Sequence, residues 1–382
     1  MNKKQDNLKV YFENLNAIRF IAAFLVIIHH IEQFKKLFKL PNYFSSPFCL
    51  LIGRLGVVLF FVLSGFIISY LLFKEKEVKG TISIKKFYIR RILRIWPLYF
   101  LIVLTSLFLF PTIDFLKFPG YASTIITEDL PTKLILFILF LPNLVKVVFG
   151  AIPFASQVWS IGAEEQFYLI WPILNKKIKN KWILILSVIL AYLFAKVLLH
   201  VIPQTKFIVL LSEFLNSMPI DCMAIGGFFA LIVFENSPLT NKIKTLIFSK
   251  ISQILILVIT LLLMIKGFSI PFFINEFYSV LFGIIICNFA VNERRLFSME
   301  NNLTNYLGKI SYGLYMFHPI CIVITIKLSQ YFNTQNNYFV YPVVYILTIL
   351  IASLSYELFE KMFIDKKVKY SVILSGDNAK EQ

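Results

Sequence analysis

The sequence predicts an all-α protein, a polytopic membrane helix bundle of about ten transmembrane helices with both termini in the cytoplasm. Three observations carry that expectation. Hydrophobic residues make up 58% of the 382 residues and charged ones only 15%, with a mean hydropathy of +0.76. A soluble domain carries about a quarter charged residues, and its core could not hide such an apolar excess. The apolar residues fall in runs of about 20, the length that crosses a bilayer. The Lys and Arg residues fall in short segments between the runs, and the 41 Phe and 18 Tyr suit lipid contact and the interfacial belts.

The spans are read at 15–34, 50–73, 93–111, 158–175, 182–201, 219–235, 251–267, 270–291, 309–330 and 339–362. Loops rich in Lys and Arg belong on the cytoplasmic side. Residues 74–94 hold eight basic and two acidic residues, and residues 175–181 (NKKIKNK) hold four lysines, so both lie inside. Two crossings between them are already supplied by 93–111 and 158–175. The further apolar run 133–149 therefore enters and returns, or lies flat, without a net crossing. Lys242, Lys244, Lys250, Arg294 and Arg295 then fall inside, and the uncharged SQYFNTQNNYF (329–339) falls outside. The three lysines within 32–49 run against the rule. Lys3, Lys4 and Lys9 before an apolar stretch imitate a signal peptide, but Arg19 interrupts the stretch and no small-residue cleavage site follows. An uncleaved first membrane helix is expected. The organisation is a cytoplasmic segment over 1–14, a membrane-embedded domain over 15–364 and a polar, disordered cytoplasmic tail over 365–382. No internal repeat is visible, although inverted-repeat transporters often show one.

The net charge of +17 would suggest nucleic acid as partner in a soluble protein. Here it reads as the positive-inside bias, so the bilayer is the expected partner and nucleic acid is not. Some of the same cations remain available to an anionic substrate. The four cysteines, Cys49, Cys222, Cys287 and Cys321, show no CxxC or metal spacing. Free buried thiols and no metal are expected.

Several polar groups interrupt the oily runs. In RFIAAFLVIIHH (19–30), Arg19 and His30 are eleven residues apart, three turns plus about 20°, and so share a face. His29 sits about 80° away. Ala23 and Val26 lie between the pair, a stripe that reads as a cavity wall. Snorkelling of Arg19 and interfacial solvation of the histidines are the plainer readings, but neither explains the shared face. Ser64-Gly65 interrupts the second span, either for close helix packing or as a gap that admits a ligand. Arg90, Arg91 and Arg94 form a guanidinium patch suited to phosphate or to lipid headgroups. In QVWSIGAEEQFYLIWPIL (157–174), Ser160, Glu164 and Tyr168 share a face at i, i+4 and i+8. A carboxylate there needs an arginine or histidine partner from another helix, whether for catalysis or for structure. Asp221 either pairs with an arginine or caps its helix with the charge outside, and the cap is the preferred reading. His318 is a structural or a functional buried histidine. Glu357 and Glu360 near the end of the last span are offset by Lys361, Lys366 and Lys367.

In order, these motifs resemble membrane acyltransferase family 3, integral-membrane enzymes that modify bacterial glycans. The resemblance rests on Arg19-x10-His30, LFFVLSGFIIS (59–69), the R-x-x-R of Arg91 and Arg94, VWSIGAEEQFYLIWP (158–172) with Trp159 and Glu164, and ISYGLYMFHP (310–319) with Ser311, Tyr315 and His318. It runs from about 12 to 363. Pro219 stands where family members often carry an arginine, and Lys361-Met362 replaces the usual x-Pro after Glu360. The fused extracytoplasmic hydrolase-like domain of some members is not expected, so transfer would be completed inside the membrane domain. The resemblance implies a multi-pass protein of a bacterial plasma membrane. It also implies an acyl-CoA donor, acetyl-CoA above all, and a hydroxyl acceptor on a surface or lipid-linked glycan or polysaccharide.

The residues suit that chemistry. A sugar hydroxyl needs a base with a pKa near the working pH, and His30 is proposed. A covalent acyl-histidine is not required. Glu164 would orient His30 or pair with Arg19. Arg91 and Arg94 would bind the donor, and Arg19 would bind donor phosphate or polarise the thioester carbonyl. Ser64, Gly65, Trp159, Ser160, Tyr168, Tyr315 and His318 are further candidates. On this reading the donor enters from inside and the acceptor from outside. The alternative is a transporter or flippase for a glycan or lipid-linked substrate, followed by a non-catalytic scaffold.

Overall fold

The computed structural model describes residues 9–376; residues 1–8 of the expected cytoplasmic segment (1–14) and 377–382 of the expected tail (365–382) lie outside them. The chain is a polytopic bundle of α-helices. Helix α1 (Leu15–Leu37) begins at Asn14, whose side chain ties it to distant loops: Nδ2 donates to the Phe289 carbonyl at 2.9 Å and Oδ1 accepts from the Met299 amide at 2.6 Å. That anchor fixes the depth of Arg19, one turn further on. Helix α2 (Pro47–Lys79) starts with the Ser46 side chain accepting from the Cys49 amide and Pro47 in the first turn, and stops at Gly80 with φ 71°. Its 33 residues span about 50 Å, more than the ~30 Å hydrocarbon core, so its last turns carry Lys74, Lys76 and Lys79 beyond the lipid. Helix α3 (Ile84–Leu104) extends through a π-turn at Thr105–Leu109 to Thr112.

The ambiguous run 133–149 is two short helices, α4 (Leu130–Ile138) and α5 (Pro142–Phe149), hinged at Phe140 with φ 56°. Neither is long enough to cross a bilayer. Helices α6 (Trp159–Lys177) and α7 (Lys181–Val201) follow. Next come α8 (Lys206–Asn216) and α9 (Ile220–Phe234), then α10 (Pro238–Ile247) and α11 (Lys250–Ile265). The series closes with α12 (Ile274–Val291), α13 (Asn302–Lys309), α14 (Ser311–Tyr331), α15 (Asn337–Ser355) and, after a π-turn at Tyr356–Glu360, α16 (Lys361–Val368).

Among the described residues, eight helical segments are long and apolar enough to cross a membrane; α10 and α11, bent by 64°, supply a ninth if they act together. The tenth span of the sequence reading is α6. It has the length, 19 residues, but Glu164, Glu165 and its terminal lysines break its hydropathy. Two other expectations change. Asp221 is no cap: Pro219 holds that position, and Asp221 is completely buried in the first turn of α9. The tail from 365 is ordered as far as Gly376. It continues α16 to Val368 and ends in β2 (Leu374–Ser375), paired in parallel with β1 (Lys9–Val10). The four cysteines are free and buried, as expected.

The core is built on α2, against which α9 and α1 make the most extensive contacts. Small residues permit this. A Cβ on Gly65 would fall 1.9 Å from the Met223 carbonyl oxygen, and one on Gly226 would fall 2.1 Å from that of Val62, so α2 and α9 touch backbone to backbone. Away from these contacts a buried pair, Lys196 to Glu276 at 2.6 Å, joins α7 to α12.

Candidate active site

A cavity of about 440 Å³ enters the bundle from its basic end. Its mouth is framed by Val10 and Tyr11 on one side and Ser375 and Gly376 on the other, so the strand pair of the two chain ends forms the rim. Toward that end its lining holds Arg19, Arg91, Arg94, Lys309, Lys361 and Lys367, with Glu357, Glu360 and Asp365 among them. The deep part, further along the helices, is lined by Val57, Phe60, Ser64, Ser160, Glu164, Tyr168 and Tyr315.

Helix periodicity places each of these groups. Ser160, Glu164 and Tyr168 all reach the cavity from one face of α6, as their spacing predicts. The Tyr168 hydroxyl donates to Glu164 Oε2 at 2.9 Å and accepts from Ser64 Oγ at 2.8 Å, tying α2 to α6 across the wall. Glu164 does not orient His30; its hydrogen bond goes to Tyr168. Glu165 turns away and accepts from the Trp96 indole at 3.2 Å. Deeper still, Tyr315 OH lies 2.8 Å from Ser160 Oγ and donates to the Gln157 carbonyl at 2.9 Å.

The three neighbouring arginines of α3 divide. Arg91 and Arg94 line the cavity. The Arg91 guanidinium lies 5.5 Å from the Phe87 ring and 5.5 Å from that of Tyr168, and its Nε is buried with no hydrogen-bond partner among the described residues. Arg90 points elsewhere, 3.6 Å from Glu75 and donating to the Tyr370 carbonyl of the tail at 2.9 Å. Arg19 lines the cavity and donates from Nη1 to Asn16 Oδ1 at 2.9 Å. An unfilled donor among converging cations suits an anion with several acceptor oxygens.

The stripe between Arg19 and His30 is not a cavity wall. Ala23 and Val26 are completely buried, and Val26 packs into the notch at Gly56 of α2, where a Cβ would meet it at 2.7 Å. The cavity leaves α1 after Arg19 and continues along α2 and α6. His30 lies outside its lining. It is joined to the deep end through α14: the His30 and His318 rings are 4.8 Å apart, with His318 Nε2 3.1 Å from His30 Nδ1, and His318 is one turn from Tyr315. His29 belongs to the packing, with Nδ1 2.8 Å from the Cys49 carbonyl and its ring against Gly53. Gly65 packs on α9 and does not open a gap. Trp159 faces Lys146, whose Nζ is 5.0 Å from its ring centroid, and does not line the cavity.

Sequence reasoning assigned Lys367, Glu360 and Tyr312 no place in a site, yet all three line the cavity. Lys367 lies within electrostatic reach of Arg19, Arg90, Arg91 and Arg94. A signal for the first two existed: Glu357, Glu360, Ile364 and Lys367 follow the i, i+3, i+7, i+10 spacing of one helical face. Read from the sequence alone, that face is charge balance at the cytoplasmic end of the last span. No group of metal-binding side chains occurs among the described residues.

Comparison with known proteins adds an independent line. The protein SACOL0978 of Staphylococcus aureus (strain COL), whose name assigns it provisionally as an O-acetyltransferase, is 26% identical over 94% of this chain and 58% of its own length. O-acetyltransferase OatA of S. aureus (strain NCTC 8325) is 28% identical over 92% of this chain and 57% of its own. Peptidoglycan O-acetyltransferase OatA of Listeria monocytogenes is 29% identical over 47% of this chain and 27% of its own. The chain thus spans under three fifths of the length of these curated relatives. No solved structure matches it. A family model described as an acyltransferase domain matches residues 12–357. That match covers most of the sequence, and the chain belongs to the acyltransferase 3 family.

Proposed function

We propose that this chain is an integral-membrane O-acyltransferase of a bacterial plasma membrane. It moves an acyl group, acetyl in the first instance, from acyl-CoA on the cytoplasmic side to a hydroxyl of a cell-surface or lipid-linked glycan. One observation carries the reading: a single cavity lined by converging cations toward its basic end and by hydroxyl groups further into the bundle. Its volume of about 440 Å³ falls within the 300–1,000 Å³ usual for small-molecule sites. The relatives named as O-acetyltransferases support the acetyl group, and the Listeria relative's name supports a glycan acceptor.

In this mechanism Arg91 and Arg94, joined by Lys367, hold the donor phosphates, and Arg91 Nε supplies a donor that is otherwise unused. Arg19 adds to the same positive field. The acyl end of the donor then points to the Ser160–Tyr315 end. His30 takes the proton of the acceptor hydroxyl at Nε2, the hydroxyl oxygen bonds to the thioester carbonyl carbon, the C–S bond breaks, and the proton passes to the leaving sulfur. Glu164 acts by holding Tyr168 and Ser64 in register and not by touching His30. General-base assistance of this kind contributes about 10²–10⁴ in rate.

The test is transfer of label from acetyl-CoA into membrane and surface glycan, comparing wild type with His30→Ala at matched expression. Label that appears with the wild type alone, and leaves on mild base as an ester does, is the expected result. Equal incorporation by both removes His30 as base. No incorporation by either, with movement of a glycan substrate in the absence of donor, replaces the reading with transport.

A further inference from the structure

The two histidines that meet outside the cavity come from residues 288 positions apart in the chain. Their contacts leave little freedom in where the protons sit. A backbone carbonyl oxygen only accepts hydrogen bonds, so a ring nitrogen that faces one must carry hydrogen. His318 Nδ1 lies 2.7 Å from the Tyr315 carbonyl, so Nδ1 is the N–H and Nε2 of the neutral ring bears the lone pair. His30 Nδ1 lies 2.9 Å from the Val26 carbonyl and 3.1 Å from that lone pair of His318. The hydrogen between the two rings therefore sits on His30 Nδ1 and is shared between both acceptors. The lone pair of His30 is left on Nε2, which has no hydrogen-bond partner among the described residues.

The sequence around His318 prepares this arrangement. Pro319 sits inside α14 and has no N–H to give to the carbonyl four residues back, which is that of Tyr315. That carbonyl is released from the helix ladder and takes up His318 Nδ1–H instead. His318 is completely buried, with Tyr315 below it and His30 beside it, so its ring is held on two sides.

Resting on the reading of His30 as the base, we propose that His318 is the positioning residue for His30. It accepts from His30 Nδ1–H, holds the ring with Nε2 bare, and stabilises the imidazolium that forms when Nε2 takes the acceptor's proton. The logic is that of a nucleophile–base–orienter chain, with a neutral imidazole in the orienter's place. His318 gains and loses no proton in the step; the proton enters and leaves at His30 Nε2.

The experiment uses the full-length protein in lipid nanodiscs, with acetyl-CoA as donor. His318→Leu removes the acceptor, while His318→Gln returns an acceptor oxygen near the position of Nε2. The expected result is a 10- to 100-fold fall in kcat for His318→Leu with donor KM unchanged, by analogy with the ~10–100-fold lost when the hydrogen-bond partner that orients a metal-binding histidine is removed. His318→Gln recovers most of that loss, and His30→Ala/His318→Leu is no slower than His30→Ala alone. A wild-type kcat in His318→Leu overturns the proposal. So does equal loss in the Leu and Gln variants accompanied by equal loss of thermal stability, which marks a structural role. A second arm is independent of the acyl donor. In protein labelled with 15N-histidine, a nitrogen–nitrogen coupling across the hydrogen bond joins His30 Nδ1 to His318 Nε2, and its absence overturns the proposal whatever the activity. Full activity in His30→Ala fails the underlying reading instead, and is distinguished by that variant alone.

Discussion

Arg90 and Arg91 are adjacent in sequence, carry the same charge, and have different fates in the fold, which makes them a sharp test of the donor site. The perturbation is each residue changed separately to Ala, with Arg91→Lys as a third variant. Arg91 lines the cavity with its Nε unpartnered, between the rings of Phe87 and Tyr168 at 5.5 Å each. A hydrogen bond to a charged group contributes about 1.5–3 kcal/mol. Arg91→Ala is therefore expected to raise donor KM about 10- to 150-fold, at about 1.4 kcal/mol per decade. Arg91→Lys keeps the charge but gives up the planar fork and the ring contacts, and is expected to lose about 1 kcal/mol, roughly fivefold. Arg90 is turned toward Glu75 at 3.6 Å and the Tyr370 carbonyl at 2.9 Å. Arg90→Ala is expected to leave donor KM within about twofold of wild type and to lower thermal stability by about 1–3 kcal/mol, because buried Glu75 loses a partner while keeping the Ser83 amide at 2.7 Å. The assay is initial-rate transfer from acetyl-CoA at varied donor concentration, with melting followed on the same preparations. Equal rises in KM for Arg90→Ala and Arg91→Ala refute the reasoning, since a diffuse surface field would then account for both. An unchanged KM in Arg91→Ala refutes the site itself.

His29→Ala is expected to lower the melting temperature through loss of the Cys49 carbonyl bond and the packing on Gly53, while retaining far more transfer activity than His30→Ala; the two variants compared in one labelled-donor assay decide this. Gly65→Ala places a methyl 1.9 Å from the Met223 carbonyl and is expected to destabilise the α2–α9 contact by about 1–3 kcal/mol or more, read as loss of monodisperse protein on detergent extraction; normal yield and melting would show that α2 and α9 do not meet as described. Tyr168→Phe removes the hydroxyl between Ser64 and Glu164, and is expected to cost about 1–3 kcal/mol in melting experiments and to reduce kcat, with Tyr99→Phe, whose hydroxyl donates to the Phe137 carbonyl and does not line the cavity, as the control that loses stability alone. Lys196→Ala leaves Glu276 buried without its cation and is expected to cost about 3–5 kcal/mol, largely restored in Lys196→Met/Glu276→Leu; a double variant as unstable as the single would argue against the pair.

The sequence by itself determined what depends on neighbours along the chain. Runs of about 20 apolar residues with basic punctuation were enough for a polytopic helical bundle. Helical periodicity was enough to put Ser160, Glu164 and Tyr168 on one face. It also showed that Arg19 and His30 share a face, but not what that face meets: Val26 between them closes on Gly56 of α2, so the cavity departs from α1 after Arg19. The same limit explains α6, whose adjacent carboxylates, Glu164 in the site and Glu165 turned away from it, lower the hydropathy that marks a span, and Asp221, whose burial is set by neighbouring helices and not by its place in the first turn of α9. Only the tertiary structure separated Arg90 from Arg91, brought Lys367 back to the arginines, joined the two chain ends at the cavity rim and set His318 against His30. The physical reason is the range of the interactions. Periodicity and hydropathy are properties of a few consecutive residues. Cavities, buried ion pairs and ring-to-ring hydrogen bonds are properties of residues far apart in the chain, 80 positions for Lys196 and Glu276 and 288 for His30 and His318, and they follow from how helix faces pack.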